Sequence, residues 1–196
     1  MLFKIVIFLA MVVMSTLLVS GCTAEKRITP QPLSNGNLII INGHTLPPEP
    51  DPKINNATLL GIDSNNNGVR DDVEIWIYQT YKDKHPIYID IAMQAGRAYK
   101  KILEMPEKAL EIHDAVRAPQ FCRAYYQNDA QYFNEPLLVD ENENITNDVY
   151  RKYFNTEERM DTYWEYDTLL SGGMYTLPNI RVRKSLCDFN TSKYGN

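Results

Sequence analysis

The sequence predicts a mainly α-helical domain that begins with a short β-hairpin. Apolar residues recur at helical spacing in several stretches after residue 71, which is the pattern of helices with one buried face. Asn42-Gly43 lies between two short apolar runs, and this dipeptide is a strong hairpin signal. Hydrophobic residues make up 44% of the 196 residues, enough for the core of one domain.

The first residues have the pattern of a targeting signal. Lys4 precedes an apolar run from Ile5 to Leu18, as in secretory signal peptides, and the run is short for a membrane-spanning helix. Val19-Ser20-Gly21-Cys22 follows and resembles the lipobox of bacterial lipoproteins, whose cysteine is lipidated and becomes the mature first residue. We expect residues 1–21 to be a lipoprotein signal peptide. An ordinary signal peptide and a membrane-spanning helix are the alternatives.

The lipobox resemblance implies a location in the bacterial cell envelope. Cys22 would carry several acyl chains, which anchor a protein firmly where a single chain binds only marginally. Thr23 follows it, whereas an Asp at this place retains lipoproteins at the inner membrane, so the resemblance implies the outer membrane. Residues 22–36 are polar and contain two prolines, which predicts a flexible tether. We expect residues 37–196 to form a single domain.

Cysteine count predicts one disulfide. With Cys22 assigned to lipidation, Cys122 and Cys187 remain. An even remainder in an oxidising compartment is typical of a disulfide. Two inert buried thiols are the alternative.

Residues 63–74 match the twelve-residue EF-hand calcium loop at every position that the pattern specifies. Ca²⁺ prefers six to eight oxygen ligands, and alternate loop positions can supply them. The expected ligands are Asp63, Asn65, Asn67, the backbone carbonyl of Val69, Asp71 and Glu74. The chain would bend sharply at Gly68. A turn without metal is the alternative, because Asn and Asp clusters with an Asn-Gly step form turns on their own.

The calcium loop is predicted to be solitary and structural. Gly61, two residues before the loop, argues against a full entering helix, and no second loop follows in the chain. Arg70 occupies position 8, where EF-hands usually carry an aliphatic residue that pairs with a second loop. With three carboxylates and Arg70 adjacent, we expect a calcium dissociation constant on the order of 10⁻⁵ to 10⁻³ M.

Prolines divide the helical part of the chain. One helix is expected from the loop to about Lys84, and Pro86 and Pro106 are expected to open the next two. Pro119 is expected to end the third helix or start a fourth. In the second helix, Ile87, Ile91, Ala95, Tyr99, Ile102 and Leu103 are expected to form a core stripe, and the third helix contains the apolar residues Leu110, Ile112 and Val116.

The last third of the chain predicts two more helices and an extended tail. After a polar loop, helices are expected near residues 148–154 and 156–170, the second ended by Gly172-Gly173. Residues 179–183 alternate apolar and charged side chains. That alternation predicts an edge strand or an extended segment.

Composition and motifs exclude or leave open several functions. The net charge of −5 argues against nucleic-acid binding, which needs a basic face. No catalytic or phosphate-binding motif is present, and His44, His85 and His113 are expected to be surface or partly packed residues. The second half is rich in aromatic residues. We interpret these as core, with a carbohydrate- or protein-binding face as the alternative.

Several local patterns together resemble an uncharacterised group of small bacterial envelope proteins. These are the lipobox, the calcium loop, the Asn-Gly-His hairpin before it, and Cys187-Asp188-Phe189 near the end. The resemblance implies no activity. The leading hypothesis is a Ca²⁺-binding envelope lipoprotein with a structural or binding role, attached to the membrane by its lipid. The alternatives are an envelope enzyme of unknown reaction, and an adaptor or inhibitor that binds a protein or glycan through the aromatic-rich half.

Overall fold

The computed structural model describes residues 39–194, which begin with the β-hairpin. Strand β1 (Ile40–Ile41) pairs antiparallel with β2 (His44–Thr45). Asn42 and Gly43 both have positive φ angles, 51° and 77°, and two such residues form the hairpin turn that suits the twist of paired strands. The side-chain amide of Asn42 donates to the carbonyl of Lys82 at 3.0 Å. The predicted hairpin is confirmed, and it rests on the helical body.

Seven α-helices, together with short 3₁₀ and π turns, make up 61% of the described residues, so the predicted mainly α-helical fold is confirmed. They are α1 (Pro52–Asn55), α2 (Asp71–Tyr81), α3 (Ile87–Glu104), α4 (Ala109–Ala124), α5 (Ile145–Tyr153), α6 (Glu157–Leu170) and α7 (Ile180–Arg183). Single 3₁₀ or π turns join or extend them at Pro106–Lys108, Tyr125–Asp129, Ala130–Phe133, Lys184–Leu186 and Thr191–Tyr194.

Helix α3 lies at the centre and packs against α2, α4, α5 and α6. Every residue of its predicted apolar stripe is buried: Ile87, Ile91, Ala95, Tyr99, Ile102 and Leu103. Burying one large aliphatic side chain stabilises a fold by about 1.5–3 kcal/mol. Burial of the stripe therefore stabilises the packing of α3 against its neighbours.

A disulfide between Cys122 and Cys187 joins α4 to the C-terminal segment, as predicted. Cys122 is buried in the core. Beyond the disulfide, Arg97 of α3 forms an ion pair with Asp188 at 2.6 Å. The last described residues are thus fastened to two helices.

The prediction for Pro119 in the third helix is wrong. Pro119 neither ends nor starts a helix but lies inside α4. Proline removes one backbone hydrogen bond there, and the helix continues through Pro119 with Val116 and Cys122 buried on either side. The buried face of α4 also includes Ala109 and Ile112, whereas the apolar Leu110 is 72% exposed.

The prediction of an edge strand or an extended segment at residues 179–183 is also wrong. Ile180–Arg183 is a helical turn. The side chain of Asn179 caps it by accepting the N–H of Arg181 at 3.0 Å. A short alternation fits a helical turn as well as a strand, and the capping hydrogen bond favours the turn.

Residues 1–21, Cys22 and most of the tether (22–36) lie outside the described residues, so the structure does not test the predictions made for them. Within residues 39–194, no helix has both the length and the apolar character needed to cross a membrane.

Candidate metal site

The loop before α2 makes its bend at two residues with positive φ angles. Asn66 has a φ of 55° and Gly68 a φ of 85°, a region that favours glycine. A Cβ atom at Gly68 would also lie 3.1 Å from Cγ of Arg97. The bend therefore favours glycine at this position for its conformation, and a larger residue would also displace the Arg97 side chain.

The loop is seated on α3 through Val69. Its side chain is fully buried and lies against Gly96, where an added Cβ would come within 2.9 Å of it. Val69 was predicted to contribute its backbone carbonyl. The packing of its side chain holds that part of the loop in place.

Asp63, at the first loop position, organises the bend. Its carboxylate accepts the backbone N–H groups of Asn67 at 3.1 Å and Gly68 at 3.0 Å. Lys100 of α3 places its Nζ 3.0 Å from Oδ2 of Asp63. Lys100 and Asp63 are 37 positions apart in the chain, so local sequence patterns do not predict this contact between loop and helix.

Glu74, at the last loop position, is the point on which other loop side chains converge. Asn65 and Asn67 both donate their Nδ2 amides to its Oε2 oxygen, at 3.0 Å and 2.7 Å. Its other oxygen, Oε1, lies 2.6 Å from Nε2 of His44. Glu74 has no solvent exposure, and a buried carboxylate requires partners of this kind.

Asp71 completes the set of three carboxylates. Its Oδ1 oxygen accepts the N–H of Ser64 at 3.0 Å. Burial raises the pKa of the Asp71 carboxyl, and the charges of Asp63 and Glu74 raise it further. The negative charges of Asp63 and Glu74 therefore act on Asp71 and disfavour its ionised form.

Arg70 does not lie beside the predicted ligands, which corrects its assignment as a charge adjacent to the ion. Its side chain is 1% exposed. The guanidinium bonds the carboxylate of Asp72 and donates to the carbonyl of Tyr153 at 3.1 Å. The positive charge of Arg70 is therefore neutralised outside the loop. There the guanidinium links the start of α2 to the end of α5.

The oxygen atoms of the loop fit Ca²⁺ only if the side-chain amides and a backbone carbonyl bind together with the carboxylates. Among residues 39–194, no three His, Cys, Asp or Glu side chains are grouped so that they could hold a metal ion. A site here depends on the amides of Asn65 and Asn67 and the Val69 carbonyl, in addition to the carboxylates. Each amide oxygen accepts one backbone N–H, at 3.1 Å and 2.9 Å, and keeps a second lone pair. An all-oxygen set suits Ca²⁺ better than softer metals.

The contact of His44 with Glu74 is a second one that the sequence did not predict. Its ring stacks on Tyr78 of α2 with centroids 4.4 Å apart, and it reaches Glu74 from the hairpin. The two residues are 30 positions apart in the chain. The available signal was the position of His44 directly after the Asn-Gly turn, which puts it on the first residue of β2.

Comparison of the chain with known protein families, with curated proteins and with solved structures found no match. The contacts around residues 63–74 are therefore the basis on which function has to be argued.

Proposed function

We propose that the protein is a calcium-binding lipoprotein of the bacterial envelope, in which Ca²⁺ has a structural role. One observation carries the proposal. Asn65 and Asn67, at the third and fifth loop positions, meet on a single oxygen of the buried Glu74. The side chains at loop positions 3, 5 and 12 thus meet at one point, as they do in a calcium loop. The two amides face Glu74 with their nitrogens, so binding of an ion would require them to turn their oxygens inward.

The charges around the loop support the same proposal. Asp63, Asp71 and Glu74 bring three negative charges into one neighbourhood. Of the three, Asp63 pairs with Lys100, and His44 adds a positive charge beside Glu74 only if it is protonated. Like charges disfavour one another, so a divalent cation would relieve the repulsion that remains.

Calcium would connect three parts of the fold at this place. Glu74 lies in the first turn of α2, so an ion shared with Asp63 would tie the loop to the start of that helix. His44 attaches the hairpin to Glu74, and Lys100 attaches α3 to Asp63. The proposed role of the ion is to set the direction in which α2 leaves the loop. The lipoprotein part of the proposal depends on the pattern Val19 to Cys22.

Calorimetric titration of the purified protein with Ca²⁺ tests the metal proposal. We expect one saturable site with a dissociation constant on the order of 10⁻⁵ to 10⁻³ M. Glu74→Gln keeps the size of the side chain but removes its charge, and should weaken binding by about 10-fold or more. Glu111→Gln, which removes an exposed carboxylate on α4, is the matched control and should bind like the parent.

Thermal unfolding gives a second readout of the same binding. A ligand present at 100 times its dissociation constant stabilises a protein by about 2.7 kcal/mol. A chelator should therefore lower the melting temperature of the parent, and much less that of Glu74→Gln. Equal calcium binding by the parent and Glu74→Gln, or no binding by either, would contradict the proposal.

A further inference from the structure

Four helices, α3 to α6, enclose a cleft that the candidate metal site does not use. Its volume is about 590 Å³, which lies within the range of small-molecule binding sites. We name it the aromatic cleft. The residues that define it are Arg117, Arg123, Tyr150, Tyr163, Trp164 and Tyr166.

One wall of the aromatic cleft consists of aromatic rings that contact one another. Tyr150 and Tyr163 meet edge to face with centroids 4.9 Å apart, and Tyr163 and Trp164 do so at 5.4 Å. Trp164 is 53% exposed, although an indole ring is among the largest apolar groups in proteins. Rigid aromatic faces of this kind suit stacking against a ring in a ligand.

Arg123 brings a positive charge that no carboxylate in the described residues neutralises. Its Nη1 donates to the side-chain oxygen of Gln127 at 2.6 Å and to the carbonyl of Glu143 at 3.1 Å, both neutral acceptors. Within residues 39–194, its Nε is buried without a partner. Burial lowers the pKa of the Arg123 guanidinium. A partly buried cation without a counter-charge is costly, and an anionic ligand would remove that cost.

His113 lies between Arg117 and Tyr166 and contacts both, and these contacts leave hydrogens that a ligand in the cleft could accept. Nη1 of Arg117 lies 3.4 Å from Nε2 of His113, and that nitrogen must accept, because a guanidinium only donates. Nδ1 of His113 then carries the proton and donates to the Tyr166 hydroxyl at 3.2 Å. Burial and the charge of Arg117 lower the pKa of His113, in agreement with a neutral ring. The hydroxyl proton of Tyr166 is left to donate to a ligand.

The balance of charge in the aromatic cleft is opposite to that of the whole protein. Arg117 and Arg123 line it together with a single carboxylate, Asp167, among the described residues. The whole chain has a net charge of −5. The cleft is therefore a locally positive region on an acidic protein, and it favours an anion.

We propose that the aromatic cleft binds a small molecule in which a carboxylate is attached to a ring. The carboxylate would face Arg117 and Arg123, and the ring would lie against Trp164 and Tyr163. An acidic sugar and a benzoate-like acid share this chemistry. The proposal goes beyond the calcium site and does not depend on it, because the two sites share none of their residues.

Fluorescence of Trp164 can test the proposal directly. The chain has two tryptophans, so in Trp76→Phe the tryptophan fluorescence comes from Trp164 alone. We titrate this protein with galacturonate, benzoate and neutral galactose in calcium-free buffer. One or both acids should give a saturable change in fluorescence. Neutral galactose should bind at least about 10-fold more weakly. A response to galacturonate alone identifies a sugar acid, and a response to benzoate alone identifies an aromatic acid.

Two variants with opposite expected effects make the test specific. Arg117→Gln should weaken binding of the acid by about 10-fold, whereas Arg181→Gln, the same change on an exposed residue outside the cleft, should not. Because Arg117 also contacts His113, Asp167→Asn is a second variant at an exposed position, and it should tighten binding several-fold. Circular dichroism verifies folding.

Three outcomes would overturn the proposal. They are binding of galactose equal to that of the acids, unchanged binding in both variants, and no saturable response to either acid.

Discussion

Single residues determine how the loop at 63–74 balances its charge. Arg70 is next to the predicted ligands in sequence, yet its guanidinium pairs with Asp72 on the far side. Lys100 is remote in sequence, yet its ammonium group lies 3.0 Å from Asp63. The cation that would compete with Ca²⁺ is therefore Lys100, because it already occupies a position beside the first ligand.

Lys100→Met should have opposite effects with and without calcium. Loss of the ammonium group removes a repulsion on the ion, so calorimetry should show calcium binding tightened by about 3- to 10-fold, as for a change of roughly 1 kcal/mol. Without calcium, Asp63 loses its partner and urea unfolding should show a loss of about 0.5–1 kcal/mol. Lys101→Met, on the neighbouring residue, is the control and should change neither. Weaker calcium binding in Lys100→Met would show that Lys100 does not compete with the ion.

At the scale of elements, the C-terminal segment is the part most dependent on distant contacts. Helical turn α7 is short and contains no buried residue, so it cannot hold itself in place by packing. The disulfide to α4 is supplemented by ion pairs of Arg183 with Asp129 at 2.9 Å and of Lys193 with Asp90 at 2.6 Å. Of these links, the disulfide is expected to dominate, because partly exposed ion pairs contribute little.

Replacing both cysteines, Cys122→Ala with Cys187→Ala, should destabilise the protein strongly. The bond closes a loop with a sequence separation of 65 residues, and restricting the unfolded chain to that extent is worth roughly 4 kcal/mol. Urea unfolding measures the difference. Lys193→Met, which removes one ion pair of the same segment, should cost less than about 1 kcal/mol. Similar losses in both proteins would mean that the disulfide adds little to the other contacts.

On the scale of the whole molecule, one helix carries both proposed sites. Lys100 of α3 contacts the loop, and Tyr99 beside it lines the aromatic cleft. Adjacent residues of a helix point about 100° apart, so the loop and the cleft lie against different faces of α3. The buried stripe of α3 holds these two faces in a fixed relation.

The proposed anchor can be tested on the complete protein in a bacterial host. We expect labelled palmitate to be incorporated into the parent and not into Cys22→Ala, because the lipobox cysteine is the residue that would be acylated. The pair of substitutions at Cys122 and Cys187 is the matched control and should keep the label. Incorporation into Cys22→Ala at the level of the parent, or into neither protein, would contradict a lipoprotein.

Much of the fold could be predicted because it follows from local patterns. The stripe of α3, the Asn42-Gly43 turn and the pairing of Cys122 with Cys187 are each encoded in residue type and spacing. Prediction failed where packing decides between local alternatives. Pro119 is tolerated inside α4 because the residues around it are buried, and Ile180–Arg183 coils because of its cap.

The sequence by itself determined which oxygen-bearing side chains lie in the loop, because their order and spacing along one short segment are what the EF-hand pattern describes. The tertiary structure alone decided their partners. It brought His44 and Lys100 to Glu74 and Asp63, and it turned Arg70 away. In the part of the chain that the structure describes, it left Arg123 without a counter-charge in the aromatic cleft. The physical reason is that charges interact through space: a residue near in sequence can face the opposite way, while one 30 or more positions distant can share a hydrogen bond.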